Sequence, residues 1–137
     1  MKPESIFIDT GAWYALADRD DGHHKHAISI YPELLKTHRV LVTSNLVVAE
    51  AYILILNELG HPAAVGFLER INASPRIAKV YSTEDIEKDA EEMLKKYTDQ
   101  DFSYTDSVSF TIMKRQKIRK AFSFDKHFQT TGFITLP

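Results

Sequence analysis

Five short runs of this sequence read as buried strands, and each stretch between the first four is long enough for a helix. "SIFID" (5–9), "RVLVTS" (39–44), "RIAKVYS" (76–82), "KAFSFD" (120–125) and "FITL" (133–136) are rich in β-branched and aromatic side chains, which pack well on a pleated surface. A turn at Thr10-Gly11 and a short helix are expected after the first run. "KHAISIYPELLKT" places Ala27, Ile30, Leu34 and Leu35 at helical spacing, with Pro32 as a point where that helix kinks or restarts. Ser44 is placed to cap a long helix that ends at Gly60. Pro62 opens the next helix in the favoured first turn. Thr83 caps an amphipathic helix with acids in its first turn. "YTDSVSFTIMKRQK" forms another, capped by Ser103 or Thr105. Strands that alternate with helices imply an α/β chain whose sheet is mostly parallel and covered on both faces. Ligand sites in such sheets form at the carboxyl ends of the strands, near a reversal of strand order.

The 137 residues suffice for one domain with a core, expected to span 1–137. With 44% hydrophobic and 26% charged residues, the composition is that of a folded globular protein. No apolar run approaches the roughly 18 residues that span a bilayer. "MKPESIFIDTG" puts an acid and a serine before its apolar run, unlike a secretion signal. With no cysteine, thiolate metal sites and thiol nucleophiles are excluded, and a cytoplasmic location with no membrane partner is expected. A net charge of −2 argues against a broad basic face for nucleic acid but leaves room for a local one.

Four acids fall at or near the carboxyl edge of the expected sheet. Asp9 ends the first strand, Asp125 ends "KAFSFD", Asp106 lies in the first turn of the helix before it, and Glu50 lies two turns into the helix after the second strand. Asp9 and Asp125 also read as turn or cap residues, and Asp106 as an acid serving the helix dipole. Glu50 resists so plain a reading. It stands alone in the apolar run Leu46–Leu56, with no Lys or Arg within a turn. An ionised carboxylate buried without a partner costs several kcal/mol. A distant base, a metal ion or a place where the helix meets solvent would each relieve that cost. Four clustered carboxylates would repel one another, and a divalent cation removes that penalty. All-oxygen ligands suit Mg²⁺ or Mn²⁺, which in turn suit phosphoryl chemistry.

The segments "IFIDTGAWYAL", "TSNLVVAE", "FSYTDSVSFTIMKRQ" and "AFSFDKHFQTTGF" carry these acids. In that order and spacing the chain resembles the PIN-domain family of metal-dependent ribonucleases, and within it the VapC-like toxins of toxin–antitoxin pairs. The resemblance implies a three-layer α/β/α sandwich around a central sheet of four to five strands. It implies an endoribonuclease that hydrolyses RNA phosphodiester bonds, leaving 5′-phosphate and 3′-hydroxyl ends. One or two Mg²⁺ or Mn²⁺ ions would sit on Asp9, Glu50, Asp106 and Asp125, with the Glu50 carboxylate within one cation's reach of Asp9 and Asp106. Thr10 would touch water or phosphate beside them, with Asp101, Ser44 and Thr105 as substrate-facing or supporting residues. The expected partners are RNA, a second copy of the chain and a cognate antitoxin. The alternatives are a PIN nuclease of RNA processing and a non-catalytic RNA-binding module, although such modules usually lack one or more of the acids. A haloacid-dehalogenase-like phosphatase would need a second Asp two residues after Asp9, where Gly11 stands.

Two further motifs stand out. "GHHKH" offers His23, His24 and His26 for a zinc site, but with no cysteine in the chain a structural role is favoured. "KRQKIRK" (114–120) reads either as a solvated basic helix end or as a phosphate contact beside Asp106. His127 is expected to cap or pack at its turn, and Trp13 and Tyr14 to serve the core or a dimer surface.

Overall fold

The computed structural model describes residues 5–137; the expectations that involve residues 1–4 lie outside the described residues. In chain order the elements are β1 (Ser5–Ile8), α1 (Thr10–Ala17), α2 (His24–Thr37), β2 (Val40–Ser44), α3 (Asn45–Leu59), α4 (His61–Ala73), β3 (Ile77–Val80), α5 (Glu84–Lys96), α6 (Tyr104–Gln116), β4 (Lys120–Phe122), α7 (His127–Thr130) and β5 (Ile134–Leu136). The five strands form one sheet in the order β3-β2-β1-β4-β5, and all four pairings are parallel. Helices cover both faces, giving the expected three-layer α/β/α arrangement. Among the described residues, no helix is long and apolar enough to cross a membrane.

The strand order fixes where a site can form. From β1 the chain moves outward through β2 to β3, then returns to the other side of β1 with β4 and β5. The reversal lies between β1 and β4, so their carboxyl ends frame the crevice where parallel sheets bind ligands. The apolar faces that hold this frame meet in one core. Ile6, Phe7, Ile8, Leu41, Phe110, Phe122 and Phe128 are fully buried, and the Phe110 and Phe128 rings meet edge to face. Trp13 belongs to this core. Its indole N–H donates to Thr43 Oγ1 at 3.2 Å, and Thr43 donates to the Ile8 carbonyl at 3.1 Å. That chain ties α1, β2 and β1 together beside Asp9.

Several local expectations are corrected. No turn separates β1 from α1: Asp9 is the extended junction residue (φ −86°, ψ 165°) and Thr10 is already helical. Pro32 does not break α2; it sits on the exposed face, where water can meet the Ile28 carbonyl that lacks its N–H partner. The strand read as reaching Asp125 stops at Phe122. Beyond it, the Ser123 hydroxyl accepts from the Asp125 N–H at 3.0 Å and Asp125 Oδ1 accepts from the His127 N–H at 2.9 Å. These side chains draw the backbone out of the ladder and start α7, which its four residues leave too short for a periodic signal. Ser103, not Thr105, caps α6, through a reciprocal box with Asp106. The Ser44 and Thr83 caps form as expected.

Candidate active site

Asp9 leaves β1 at the reversal point and is 6% exposed. Its Oδ2 accepts from the Ser123 hydroxyl at 3.0 Å, and the adjoining Thr10 N–H favours its ionised form. Glu50 projects from α3 and accepts from Thr10 Oγ1 at 2.9 Å. The Thr10 hydroxyl therefore links the first acid's helix to the second acid. Asp106 occupies the third position of α6, where its Oδ2 accepts from the Ser103 N–H at 3.1 Å. Asp125 begins the turn into α7. Asp9, Thr10, Glu50, Asp106 and Asp125 all line one open cleft of about 470 Å³, together with Gly11, Ser103 and Phe124.

The electrostatics of this cleft are those of clustered negative charge, with His127 as the basic side chain beside it. Burial pushes the Asp9 carboxyl up to about 7, and the nearby Asp106 and Asp125 charges add to the rise against the Thr10 and Ser123 hydrogen bonds. Asp106 is also raised, first by burial and then by Asp125, against its Ser103 hydrogen bonds and His127. Among the described residues, no lysine or arginine forms an ion pair with Asp9, Glu50, Asp106 or Asp125. A divalent cation suits this set of hard oxygen donors.

The tightest donor group is narrower than the sequence suggested. One ligand atom each from Asp106, Asp125 and His127 lies within 4.8 Å of the others, whereas Asp9 and Glu50 face the same cleft outside that group. An ion that served all four acids at once would reach some of them through bridging water, as Mg²⁺ commonly does. His127 sits at the hub. Its Nε2 is 3.1 Å from Asp101 Oδ1, while its Nδ1 is 3.2 Å from Asp125 Oδ1 and 3.5 Å from Asp106 Oδ2. That Nδ1 is buried and aligned with neither carboxylate.

The supporting residues separate into groups. Thr10 lines the cleft. Asp101 is almost fully exposed and reaches it only through His127. Ser44 is buried and accepts from the Val47 N–H at 3.1 Å, so it sets the start of the helix that carries Glu50. Thr105 is buried behind the cleft. Ser123 was not foreseen as a site residue. Its only signal is position: it follows β4 directly, beside Asp9. His127 was read as a packing residue; its two-residue spacing from Asp125 was the hint to more.

The histidine cluster does not form the metal site considered for it. Among the described residues, the only metal-competent group is Asp106, Asp125 and His127; His24 Nδ1 lies 2.7 Å from the Ala15 carbonyl instead. In the basic run, Arg115 reaches Asp85 and Asp89 at 2.9 and 2.6 Å. It lies about 13 Å along α6 from Asp106 at the ordinary helical rise, so Arg115 itself is held by these two acids at the far end of the helix.

A family profile described as "PIN domain" matches residues 6–134. The 23S rRNA-specific endonuclease VapC20 of Mycobacterium tuberculosis is 33% identical over 129 residues, covering 94% of this chain and 95% of its own length. The crystal structure of that protein, described as a sarcin–ricin loop cleaving toxin, superposes with a TM-score of 0.86 at 32% identity, over 94% of this chain and 96% of the other. A chain from VapBC2 of Rickettsia felis, solved with a promoter DNA fragment, has the same fold: TM-score 0.72, 10% identity, coverage of 96% and 97%.

Proposed function

The chain belongs to the PIN-domain family, and from that premise we propose that it is a divalent-metal-dependent endoribonuclease of the VapC toxin type. We read residues 1–137 as one such domain. The observation that carries the proposal is the convergence of Asp9, Glu50, Asp106 and Asp125 on one cleft at the strand reversal, with no lysine or arginine ion partner among the described residues. By analogy with the M. tuberculosis relative, the substrate is the sarcin–ricin stem–loop of 23S rRNA.

In this reading the four acids hold one or two Mg²⁺ or Mn²⁺ ions. A bound cation would polarise the scissile phosphate and make water a better nucleophile at neutral pH. The protein's own contribution is preorganisation. Ser123 holds the Asp9 carboxylate. The Thr10 hydroxyl aims Glu50. The reciprocal Ser103 cap fixes Asp106, and the His127 backbone N–H donates to Asp125 Oδ1 and holds that carboxylate at its turn. The partners proposed with this activity are a second copy of the chain and an antitoxin that restrains a cytoplasmic toxin.

The test is a digest of sarcin–ricin loop RNA with Mg²⁺ or Mn²⁺, with EDTA, and with the Asp9→Asn variant. Cleavage that yields 5′-phosphate ends, and that both EDTA and the variant abolish, is expected. Undiminished cutting in EDTA or by the variant would overturn the proposal.

A further inference from the structure

A second cleft shares a wall with the acidic one. Phe124 and Asp125 line both. The second has a volume of about 350 Å³, on the scale of a small-ligand pocket. Its character differs. His23 and His26 come in from the start of α2, and Lys126, Gln129 and Thr135 from α7 and β5. The His23 ring stacks on Phe124 with centroids 4.1 Å apart and planes 15° off parallel, and His26 tilts against the same ring at 6.5 Å.

This ring pair is poorly explained as packing. His23 and His26 are both exposed, and Phe124 is only half-buried, so the stack adds little to the core. An aromatic platform beside a basic side chain is what an unstacked nucleobase needs. Gln129 adds edge chemistry. Its amide N–H donates to Thr135 Oγ1 at 2.7 Å, which orients the carboxamide, and a carboxamide offers both an acceptor and donors to a base edge. Exposed Lys126 supplies the positive charge that the acidic cleft lacks.

We propose that this cleft, walled by His23 and Phe124 and fringed by Lys126 and Gln129, is a nucleobase subsite that holds the nucleotide next to the scissile phosphate. The inference rests on the nuclease reading above and adds to it the recognition of an unpaired base. It also gives a use to two of the three "GHHKH" histidines. His24 is turned away to the Ala15 carbonyl, while His23 and His26 face the cleft. A strand whose phosphate lies over Asp9 and Asp106 has its neighbouring base at the shared wall, so stacking there would set which phosphate is presented for cleavage.

The experiment uses fluorescein-labelled sarcin–ricin stem–loop RNA, intact or with a single abasic nucleotide on either side of the cut. Wild type, His23→Ala and His23→Phe are compared for cleavage. The same His23 changes in an Asp9→Asn background are compared for binding by anisotropy, without divalent metal. Loss of one stacked base corresponds to roughly 5- to 150-fold in affinity. His23→Ala is expected to lose that factor in KM with kcat little changed, and His23→Phe to keep most of the affinity. One of the two abasic RNAs should weaken wild type equally and weaken His23→Ala no further. Penalties that multiply, or a His23→Ala protein that binds and cuts like wild type, would overturn the subsite while cleavage stood. Base discrimination without any cleavage by the wild type would instead overturn the nuclease reading and leave the subsite standing.

Discussion

Replacing Asp9 by Asn should abolish cleavage and at the same time make the metal-free protein more stable. The unfolded chain titrates Asp9 near 3.8, and burial together with the Asp106 and Asp125 charges raises it to about 7 in the fold. A raised carboxyl disfavours the ionised native state. The stability it allows is fully present below about pH 3.8, falls as pH rises toward 7, and is lost above that. At about 1.36 kcal/mol per pH unit, the three-unit span amounts to roughly 4 kcal/mol at pH 8. Asn matches the neutral acid in shape, and its oxygen can still accept from Ser123. In EDTA, the stability gap between variant and wild type should therefore widen by about 1.4 kcal/mol per unit between pH 5 and 7 and flatten above. For a chain of this length, Tm should rise by on the order of 10 °C at pH 8. Circular-dichroism melts at half-unit steps from pH 5 to 8 measure this directly. Saturating Mn²⁺ should reverse the order, because the wild type gains a binding free energy that the variant has largely lost. A variant less stable than wild type at every pH in EDTA, or a gap that does not vary with pH, would refute an electrostatic frustration at Asp9.

Three more outcomes follow from the same contacts. Thr10→Val keeps the side-chain shape but removes the donor to Glu50; calorimetry should show metal affinity weakened about 10- to 100-fold, with an unchanged far-ultraviolet spectrum. Ser123→Ala removes a donor that favours the ionised form of Asp9, so the acidic limb of the pH–rate profile should move to higher pH. Arg115→Ala breaks exposed ion pairs to Asp85 and Asp89; solvent screening leaves such pairs weak, so the midpoint of denaturant unfolding should barely move, and the salt dependence of RNA binding should stay unchanged, since Arg115 lies at the far end of α6.

What the sequence made legible is what depends on neighbours along the chain. The helix starts at Ser44 and Thr83 were readable because a cap and its target N–H are three residues apart. Strand identity followed from composition and strand spacing from the helices between. The end of β4 was misread because "FSFD" has strand-like residues on both sides of two side chains that bind the backbone better as a turn. What stayed hidden is non-local. Ser123 and Asp9 are 114 positions apart, and no pattern in either segment encodes their hydrogen bond; it exists because β4 pairs beside β1. Strand order likewise has no local signature.

Glu50 lies between these cases. Its solitude in an apolar helix is a local anomaly, and the energy of an unpaired carboxylate makes it informative before any fold is known. Where that charge is relieved was not local. Glu50 takes its bond from Thr10, 40 positions away, on the edge of a cleft shared with three other acids. Glu50 is half-buried on that open cleft, so its charge meets solvent as well as the Thr10 hydroxyl, with no lysine or arginine paired to it among the described residues. At Asp9, burial and the Asp106 and Asp125 charges raise the cost of ionisation, and at Asp106 burial and the Asp125 charge do the same. Folding alone gives no reason to retain such an arrangement, since replacing the acids with neutral residues of similar shape would relieve it. A bound divalent cation does give one.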